Sequence, residues 1–294
     1  MENWRVLPFQ IFDAFENMAT DEALFRSLQE RGGPPTLRFY GWEKPALSIG
    51  YFQSTATEIN LHHCRRDGMD VVRRPTGGKA VLHDCELTYA VVSREGSPFF
   101  SGNLVENYRA VCSCLIRAFA ELGIEVTMAR ECRHGEERGM SAICFAFPAP
   151  FELLSRGRKI CGSAQVRSRG CFLQHGSILL DFDAEKSCRF ILPSEGRQAE
   201  LCSHLSEAVT SVRGETGEAI RPEPFSGIVQ RAFETSWNVR FAAKELTPEE
   251  DALKNRLLET KYRNPAWNLD GRIQGDRFPS EPFAAFSDNL PGRI

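Results

Sequence analysis

Apolar residues in this chain follow two rhythms. Between positions 36 and 181 they sit in short alternating or continuous blocks broken by Gly, Pro and Asp; elsewhere they return every third or fourth position. A period of two marks a strand with one buried face, and a period near 3.6 marks a helix. Met18, Leu24, Phe25 and Leu28 share one helical face, and Gly32-Gly33-Pro34-Pro35 stops that helix. Strands are predicted over 36–40 and 46–52, then a short helix over 58–66 ending at Gly68, and strands over 70–73 and 86–93. Positions 103–122 hold the strongest helical pattern. Val105, Tyr108, Val111, Cys112, Leu115, Ile116, Phe119 and Leu122 form its apolar stripe, and Gly123 closes it.

A short strand over 124–128 and a polar loop over 130–139 follow. Strands then crowd together over 141–147, 151–154, 159–165 and 171–181. Beyond Pro193 the pattern turns helical over 198–212 and 224–237, and Thr247-Pro248-Glu249-Glu250 opens a third helix with a capping box and proline in the first turn. Clustered strands with helices on either side fit an α+β class. Residues 1–270 are expected to form one domain, and 271–294, rich in Gly, Pro and Asp, a loose tail.

Composition narrows the field. With 294 residues, 42% hydrophobic and 26% charged, the chain can bury a sizeable core, and a net charge of −3 gives no general basic field for nucleic acid. The first ten residues lack the apolar core of a signal peptide, and no run approaches the ~18 apolar residues of a membrane span. A cytoplasmic protein without a membrane partner is expected. Its ten cysteines are then thiols, most of them small core residues. Cys112-Ser113-Cys114 and His62-His63-Cys64 match no zinc spacing, and no metal is expected.

The stretch over 73–93 stands out: Arg73-Arg74-Pro75-Thr76-Gly77-Gly78-Lys79-Ala80-Val81-Leu82-His83-Asp84, then an apolar strand. Two glycines permit positive φ and bring backbone N–H groups close to a ligand, so a carbonyl, phosphate or carboxylate fits there. An ordinary hairpin turn with solvated arginines fits the same letters.

Further on come Ser141-Ala142-Ile143-Cys144-Phe145, then Phe151-Glu152-Leu153, then Gly157-Arg158-Lys159-Ile160-Cys161-Gly162-Ser163-Ala164-Gln165, and Leu173-Gln174-His175-Gly176-Ser177. A hairpin-like approach of Cys144 and Lys159 is geometrically reasonable, and a nearby ammonium holds a thiol as thiolate. Taken singly, one cysteine among ten is an ordinary core residue and a strand lysine an ordinary solvated one. Alternation puts Lys159 and Cys161 on one face, making Cys161 a second thiol near the lysine.

These motifs, in this order over residues 9 to 268, closely resemble the LipM-type octanoyltransferases of the biotin/lipoate protein ligase catalytic-domain family. The resemblance implies a mixed, largely antiparallel sheet flanked by helices, the fold of class II aminoacyl-tRNA synthetases and biotin synthetases. It implies that Cys144 carries an octanoyl thioester and Lys159 assists it. Arg74, Thr76, Gly77, Gly78, His83, Gly162, Ser163, Ala164 and His175 are then expected around the acyl group. No cofactor is implied. The donor is octanoyl-acyl carrier protein, and the acceptor a lysine of the H protein or of a lipoyl domain of a 2-oxoacid dehydrogenase.

Two related activities compete. An ATP-dependent lipoate-protein ligase shares the fold and the lysine, but its loop tends to carry a third glycine where this chain has Lys79, and an Arg-Asn-Asp run where this chain has Phe151-Glu152-Leu153. A lipoyl/octanoyl amidotransferase moves the acyl group between lipoyl domains, and the Gly-Ser-Ala-Gln run favours carrier protein as donor instead.

Overall fold

A computed structural model describes residues 3–97, 99–100, 103–129, 151–191 and 198–271. Its strands are β1 (Asn3–Phe12), β2 (Thr36–Trp42), β3 (Ala46–Ile49), β4 (Asp70–Arg73), β5 (Val81–His83), β6 (Glu86–Arg94), β7 (Thr127–Met128), β8 (Leu153–Ser155), β9 (Arg158–Ser168), β10 (Cys171–Leu179) and β11 (Arg240–Ala243). The helices are α1 (Ala14–Arg31), α2 (Thr55–Glu58), α3 (Leu61–Arg66), α4 (Leu104–Glu121), α5 (Ala184–Arg189), α6 (Gln198–Ala208), α7 (Val212–Thr216), α8 (Pro222–Trp237), α9 (Pro248–Leu257) and α10 (Pro265–Asp270), with a π-helical turn, Leu258–Tyr262, between the last two.

The main sheet runs β11-β1-β2-β6-β10-β9-β8-β7, and a small sheet runs β4-β3-β5. In the main sheet β1 pairs in parallel with β11 and β2, while the pairs from β2 onward are antiparallel. Both faces are covered, so its central strand β6 has no exposed side until Arg94. Leu87, Tyr89 and Val91 face the core shared with α4 and α8, whereas Ala90 and Val92 face the core shared with α1. A third cluster packs the small sheet against α3, α5 and α6.

Several elements depart from their sequence expectation. The two strands expected over 36–40 and 46–52 lie in different sheets, β2 in the main one and β3, which ends at Ile49, in the small one. The helix expected over 58–66 is interrupted at Ile59, which bridges Ile191, giving α2 and α3. The helix over 198–212 stops at Ala208 because the next residues run beside β9, where Thr210 N–H donates to the Lys159 carbonyl at 2.9 Å, and Ser211 then caps α7. Strands β1 and β11 are unanticipated; Pro8 interrupts the alternation of β1 and falls where the pairing with β2 shifts register. The expected loop over 130–139 and strand over 141–147 lie outside the described residues, as does the tail from 272 on. Among the described residues no helix is long and apolar enough to cross a membrane.

The buried side of α1 is not purely apolar. Glu22 is enclosed there, taking Lys261 Nζ at 3.0 Å, the Tyr262 hydroxyl, and Arg26 at 2.5 Å. Lys261 also lies 3.9 Å over the Trp267 ring. This pairing ties the C-terminal helices to α1. Glu22→Ala would leave Lys261 buried without its counter-charge, and we expect a loss of roughly 3–5 kcal/mol in urea unfolding; a change below 1 kcal/mol would show the contact to be incidental.

Candidate active site

The loop between β4 and β5 is held by two backbone bonds to the segment after β3, Arg74 N–H to the Ile49 carbonyl and Tyr51 N–H to the Thr76 carbonyl, and by two guanidinium groups. Arg73 Nη1 donates to the carbonyls of Gly50, Tyr51 and Gln53, its Nε to Trp267 and its Nη2 to Leu269. Arg74 Nη2 donates to the carbonyls of Gly77 and Lys79, both at 2.8 Å, and its Nη1 to Ser48 Oγ at 3.1 Å. Gly78 has φ 92°, and its carbonyl presses so close to Gly50 that a Cβ there would overlap it. Only glycine satisfies both backbones.

Above this loop the main sheet turns a polar face toward a small cavity. Met18, Tyr40 and Trp42 supply apolar wall, Gly162, Ser163 and Ala164 line one strand, and Ser48, Arg74, His83 and His175 bring the polar groups. Two wider clefts, one along Asp84 and Lys186 and one beside Lys44 and Arg189, are lined by exposed charged groups. The smaller cavity is the candidate site because buried polar chains converge on it.

The first chain is Thr76–His175–Asp21. Thr76 Oγ1 lies 2.7 Å from His175 Nε2, and His175 Nδ1 lies 2.9 Å from Asp21 Oδ2. Asp21 also takes Arg38 Nη1 at 2.6 Å and the Tyr40 hydroxyl at 2.9 Å. Burial alone would raise the Asp21 carboxyl, but Arg38 and His175 hold it below the ordinary carboxylate value. Burial pushes His175 below the ordinary imidazole value against the pull of Asp21. A neutral ring whose Nδ1–H serves the carboxylate must accept at Nε2, so Thr76 is the donor.

The second chain is Ser48–His83–Glu86. His83 Nε2 is 2.6 Å from Ser48 Oγ, Nδ1 is 2.7 Å from Glu86 Oε1, and the ring stacks on Trp42 at 3.8 Å. Glu86 Oε1 also accepts from Trp42, Thr88 and Ser177. Both chains join a hydroxyl, an imidazole and a carboxylate, and both end beside the glycine loop. Asp84, the other half of the His-Asp dipeptide, points elsewhere and pairs with Lys186 at 2.6 Å.

Lys159 does not line the cavity, but an irregularity in β9 turns it onto Gly162, which does. Leu153 pairs with Cys161 and Leu154 with Lys159, so β9 carries one extra residue, Ile160. The bulge breaks the alternation: Ile160 and Cys161 both enter the core beneath α4, and the Lys159 amine lies 2.9 Å from where a Cβ on Gly162 would sit. The expectation that Lys159 and Cys161 share a face is therefore overturned. Cys161 is not in the cavity wall, and burial, reinforced by Cys112, pushes its thiol far up despite Lys159. Lys159 is 0% exposed and ion-paired with Glu152, itself 4% exposed.

Of the residues expected around an acyl group, Arg74, Gly78, His83, Gly162, Ser163, Ala164 and His175 border the cavity. Thr76 and Gly77 do not: Thr76 sits behind His175, and Gly77 offers its carbonyl to Arg74. Ser163 bonds Tyr89 at 2.8 Å, on the far side of the strand from Gly162. Cys144 lies outside the described residues. Sequence reasoning passed over Asp21, Ser48, Glu86 and Glu152. Glu86, three positions beyond His83 at the head of an apolar strand, and Glu152, inside the Phe151-Glu152-Leu153 motif, left a local signal.

A mixed sheet of this order, with a glycine loop over its polar face, defines an α+β domain with a buried polar cavity. The family model for the lipoyl protein ligase A/B catalytic domain matches residues 13–234. Octanoyltransferase LipM of Kyrpidia tusciae is 39% identical over 272 residues, 91% of this chain and 99% of that one. Octanoyltransferase LipM of Bacillus subtilis is 36% identical over 272 residues, 91% of this chain and 98% of that one. Among solved structures, a bi-partite lipoate protein ligase from Thermoplasma acidophilum superposes with a TM-score of 0.76 at 24% identity, covering 93% of this chain and 98% of its own. Lipoate-protein ligase A bound with ATP gives 0.74 at 23% identity, covering 92% and 99%. These two likenesses concern the fold. The chain belongs to the lipoyl protein ligase A/B catalytic-domain family and, within it, to the LipM octanoyltransferases.

The buried neutral state of His175 has a measurable consequence. Its folded pKa lies below the unfolded value of about 6.5, so its contribution to stability is present above that pH and is lost as the pH falls below it. Asp21, whose folded pKa is also depressed, enters only below about 4. The thermal midpoint should fall more steeply between pH 7 and pH 4.5 in the native chain than in His175→Gln. Parallel slopes would place the acid sensitivity elsewhere.

Proposed function

We propose that the protein moves an octanoyl group from octanoyl-acyl carrier protein onto Cys144, and from there to a lysine of a lipoyl-accepting protein. The acceptor is the H protein or a lipoyl domain of a 2-oxoacid dehydrogenase. Likeness to octanoyltransferases over nine-tenths of the chain supports the reaction class. The observation that carries the site is the turn of Lys159 onto Gly162, behind a cavity roofed by the glycine loop.

The first step exchanges one thioester for another. The Cys144 thiolate attacks the octanoyl carbonyl, the carrier's phosphopantetheine sulfur leaves, and little free energy changes hands. In the second step the acceptor amine attacks the Cys144 thioester, a C–N bond replaces the C–S bond, and the amine gives up a proton. Amide formation drives the sequence, so ATP is not needed. Each methylene buried in the cavity is worth ~0.8 kcal/mol, about fourfold in affinity, which separates neighbouring chain lengths weakly and distant ones strongly. We assign this activity to residues 1–270, since Arg73 joins the glycine loop to the Trp267 and Leu269 carbonyls of the last described helix, and we place it in the cytoplasm.

Incubation with octanoyl-acyl carrier protein and no ATP should add one octanoyl mass, mapped to Cys144. Cys144→Ala should lower transfer by roughly 10³-fold or more, while Cys161→Ala keeps most of it, because Cys161 lies in the core. ATP-dependent pyrophosphate release from free octanoate or lipoate would establish the ligase reaction instead, and faster acylation by an octanoylated lipoyl domain than by carrier protein the amidotransferase.

A further inference from the structure

We infer that the cavity also holds a serine hydrolase site, in which Ser48 attacks the carbonyl of an apolar acyl ester or thioester, His83 carries its proton, and water is the final acceptor. This activity does not depend on the proposed transfer. Ser48 and His83 lie on one face of the small sheet. In the β3–β5 register Ala46 pairs with His83 and Ser48 with Val81, so the two side chains are diagonal neighbours. Leu47 and Leu82 face the opposite core. His83 Nε2 stands 2.6 Å from Ser48 Oγ, Nδ1 stands 2.7 Å from Glu86 Oε1, and the Trp42 ring, stacked at 3.8 Å, fixes the plane of the imidazole. Nδ1–H serves the carboxylate, so in the neutral ring Nε2 accepts the Ser48 proton.

The Thr76–His175–Asp21 chain has the same three groups, and the contrast separates a bracing chain from a reactive one. Thr76 lies outside the cavity wall, and Asp21 is already matched by Arg38 at 2.6 Å. Ser48 and His83 both border the cavity, beside the apolar wall of Met18, Tyr40 and Trp42. Among the described residues Glu86 meets no lysine or arginine, and its buried Oε2 has no hydrogen-bond partner. Burial would raise this carboxyl, but His83, Thr88 and Ser177 hold it below the ordinary carboxylate value. An anion with one oxygen unsatisfied favours positive charge on the ring it faces, so the chain gains attraction as His83 takes a proton. Arg74 Nη1 donates to Ser48 Oγ at 3.1 Å and so stabilises the negative charge that grows on that oxygen.

The reaction balances with water alone. Ser48 Oγ forms a C–O bond to the acyl carbon while its proton passes to His83 Nε2. The C–O or C–S bond of the substrate breaks, and His83 returns that proton to the departing oxygen or sulfur. Water then gives a proton to Nε2 as its oxygen bonds to the acyl carbon. The Ser48 ester bond breaks, Ser48 Oγ regains the proton from His83, and a carboxylic acid leaves. Glu86 touches neither substrate nor water; it is a positioning residue that holds the ring in the accepting tautomer.

A fluorophosphonate, which phosphonylates an activated hydroxyl with loss of fluoride, should label the native chain at Ser48, read by peptide mass. This labelling needs no variant, so it decides even where a substitution unfolds the chain. Incubation with para-nitrophenyl octanoate should leave an octanoyl ester on Ser48 that survives neutral hydroxylamine, a treatment that strips thioesters from cysteines. Ser48→Ala should release octanoic acid at least about a hundredfold more slowly. Glu86→Gln should lower kcat by about a hundredfold with KM for the ester unchanged. An unlabelled Ser48 in the native chain, octanoic acid released as fast by a folded Ser48→Ala, or an unchanged kcat in Glu86→Gln would overturn the hydrolase. None of these results bears on octanoyl transfer to a lipoyl domain, so the two activities stand or fall separately.

Discussion

The cavity exists because one stretch of bare backbone is pressed against another. The Gly78 carbonyl sits over Gly50 at a distance no side chain tolerates, where the β3–β4 ladder has dwindled to two bonds, Arg74 N–H to the Ile49 carbonyl and Tyr51 N–H to the Thr76 carbonyl. Carbonyl groups turned inward at such a place need donors, since an unpaired buried one costs about 1–3 kcal/mol. Arg73 and Arg74 supply them from consecutive positions. Arg73 gathers carbonyls from the loop after β3 and from α10, while Arg74 gathers those of its own glycine turn. The order of the site is therefore inherited from carbonyl satisfaction, and a guanidinium, with five donors fixed in one plane, does this where a lysine cannot.

That clamp explains why the C-terminal segment, far from the loop in sequence, belongs to the same structure. Trp267 donates its indole N–H to the Arg73 carbonyl at 3.0 Å and covers Lys261, which in turn answers Glu22 on α1. One helix thus carries two buried carboxylates with different partners. Asp21 looks toward His175 and the cavity; Glu22 looks toward the C-terminal helices. Two ionised groups on adjacent buried positions are stable only because each has its own cation. Movement of the C-terminal helices would therefore be felt at the glycine loop without any contact to an acyl group.

Resemblance carried the fold class, and the letters carried most of the strands, because alternation between polar and apolar positions survives wherever one face of a sheet is solvated or meets a different core. They failed where burial on both faces or a polar buried helix erased the contrast. The face of α1 with Asn17, Thr20, Asp21 and Glu22 reads as solvent-exposed, yet all four are enclosed. β1 was lost to Pro8, and β11 is a four-residue edge with little to bury. The glycine turn was legible as a place where backbone comes close to something. What it comes close to is Gly50 and an arginine, facts that depend on a crossover between sheets and leave no mark in the local pattern.

The hardest case to read was Lys159, and the reason is a single inserted residue. Strict alternation would have put its amine with Cys161, in the core beneath α4, where a charged group has no polar surroundings to compensate its burial. Ile160 occupies the bulge, and that side of the strand receives two apolar neighbours in succession while the lysine turns to the cavity side. A bulge is also what lets Lys159 keep its carbonyl for Thr210 as its side chain changes sides. The same residue count therefore fixes three things together: a sealed core under α4, a cation against Gly162, and the carboxylate of Glu152 as that cation's partner. Deleting one residue from this strand would not weaken the site by degrees; it would send every side chain before the deletion to the opposite face of the sheet.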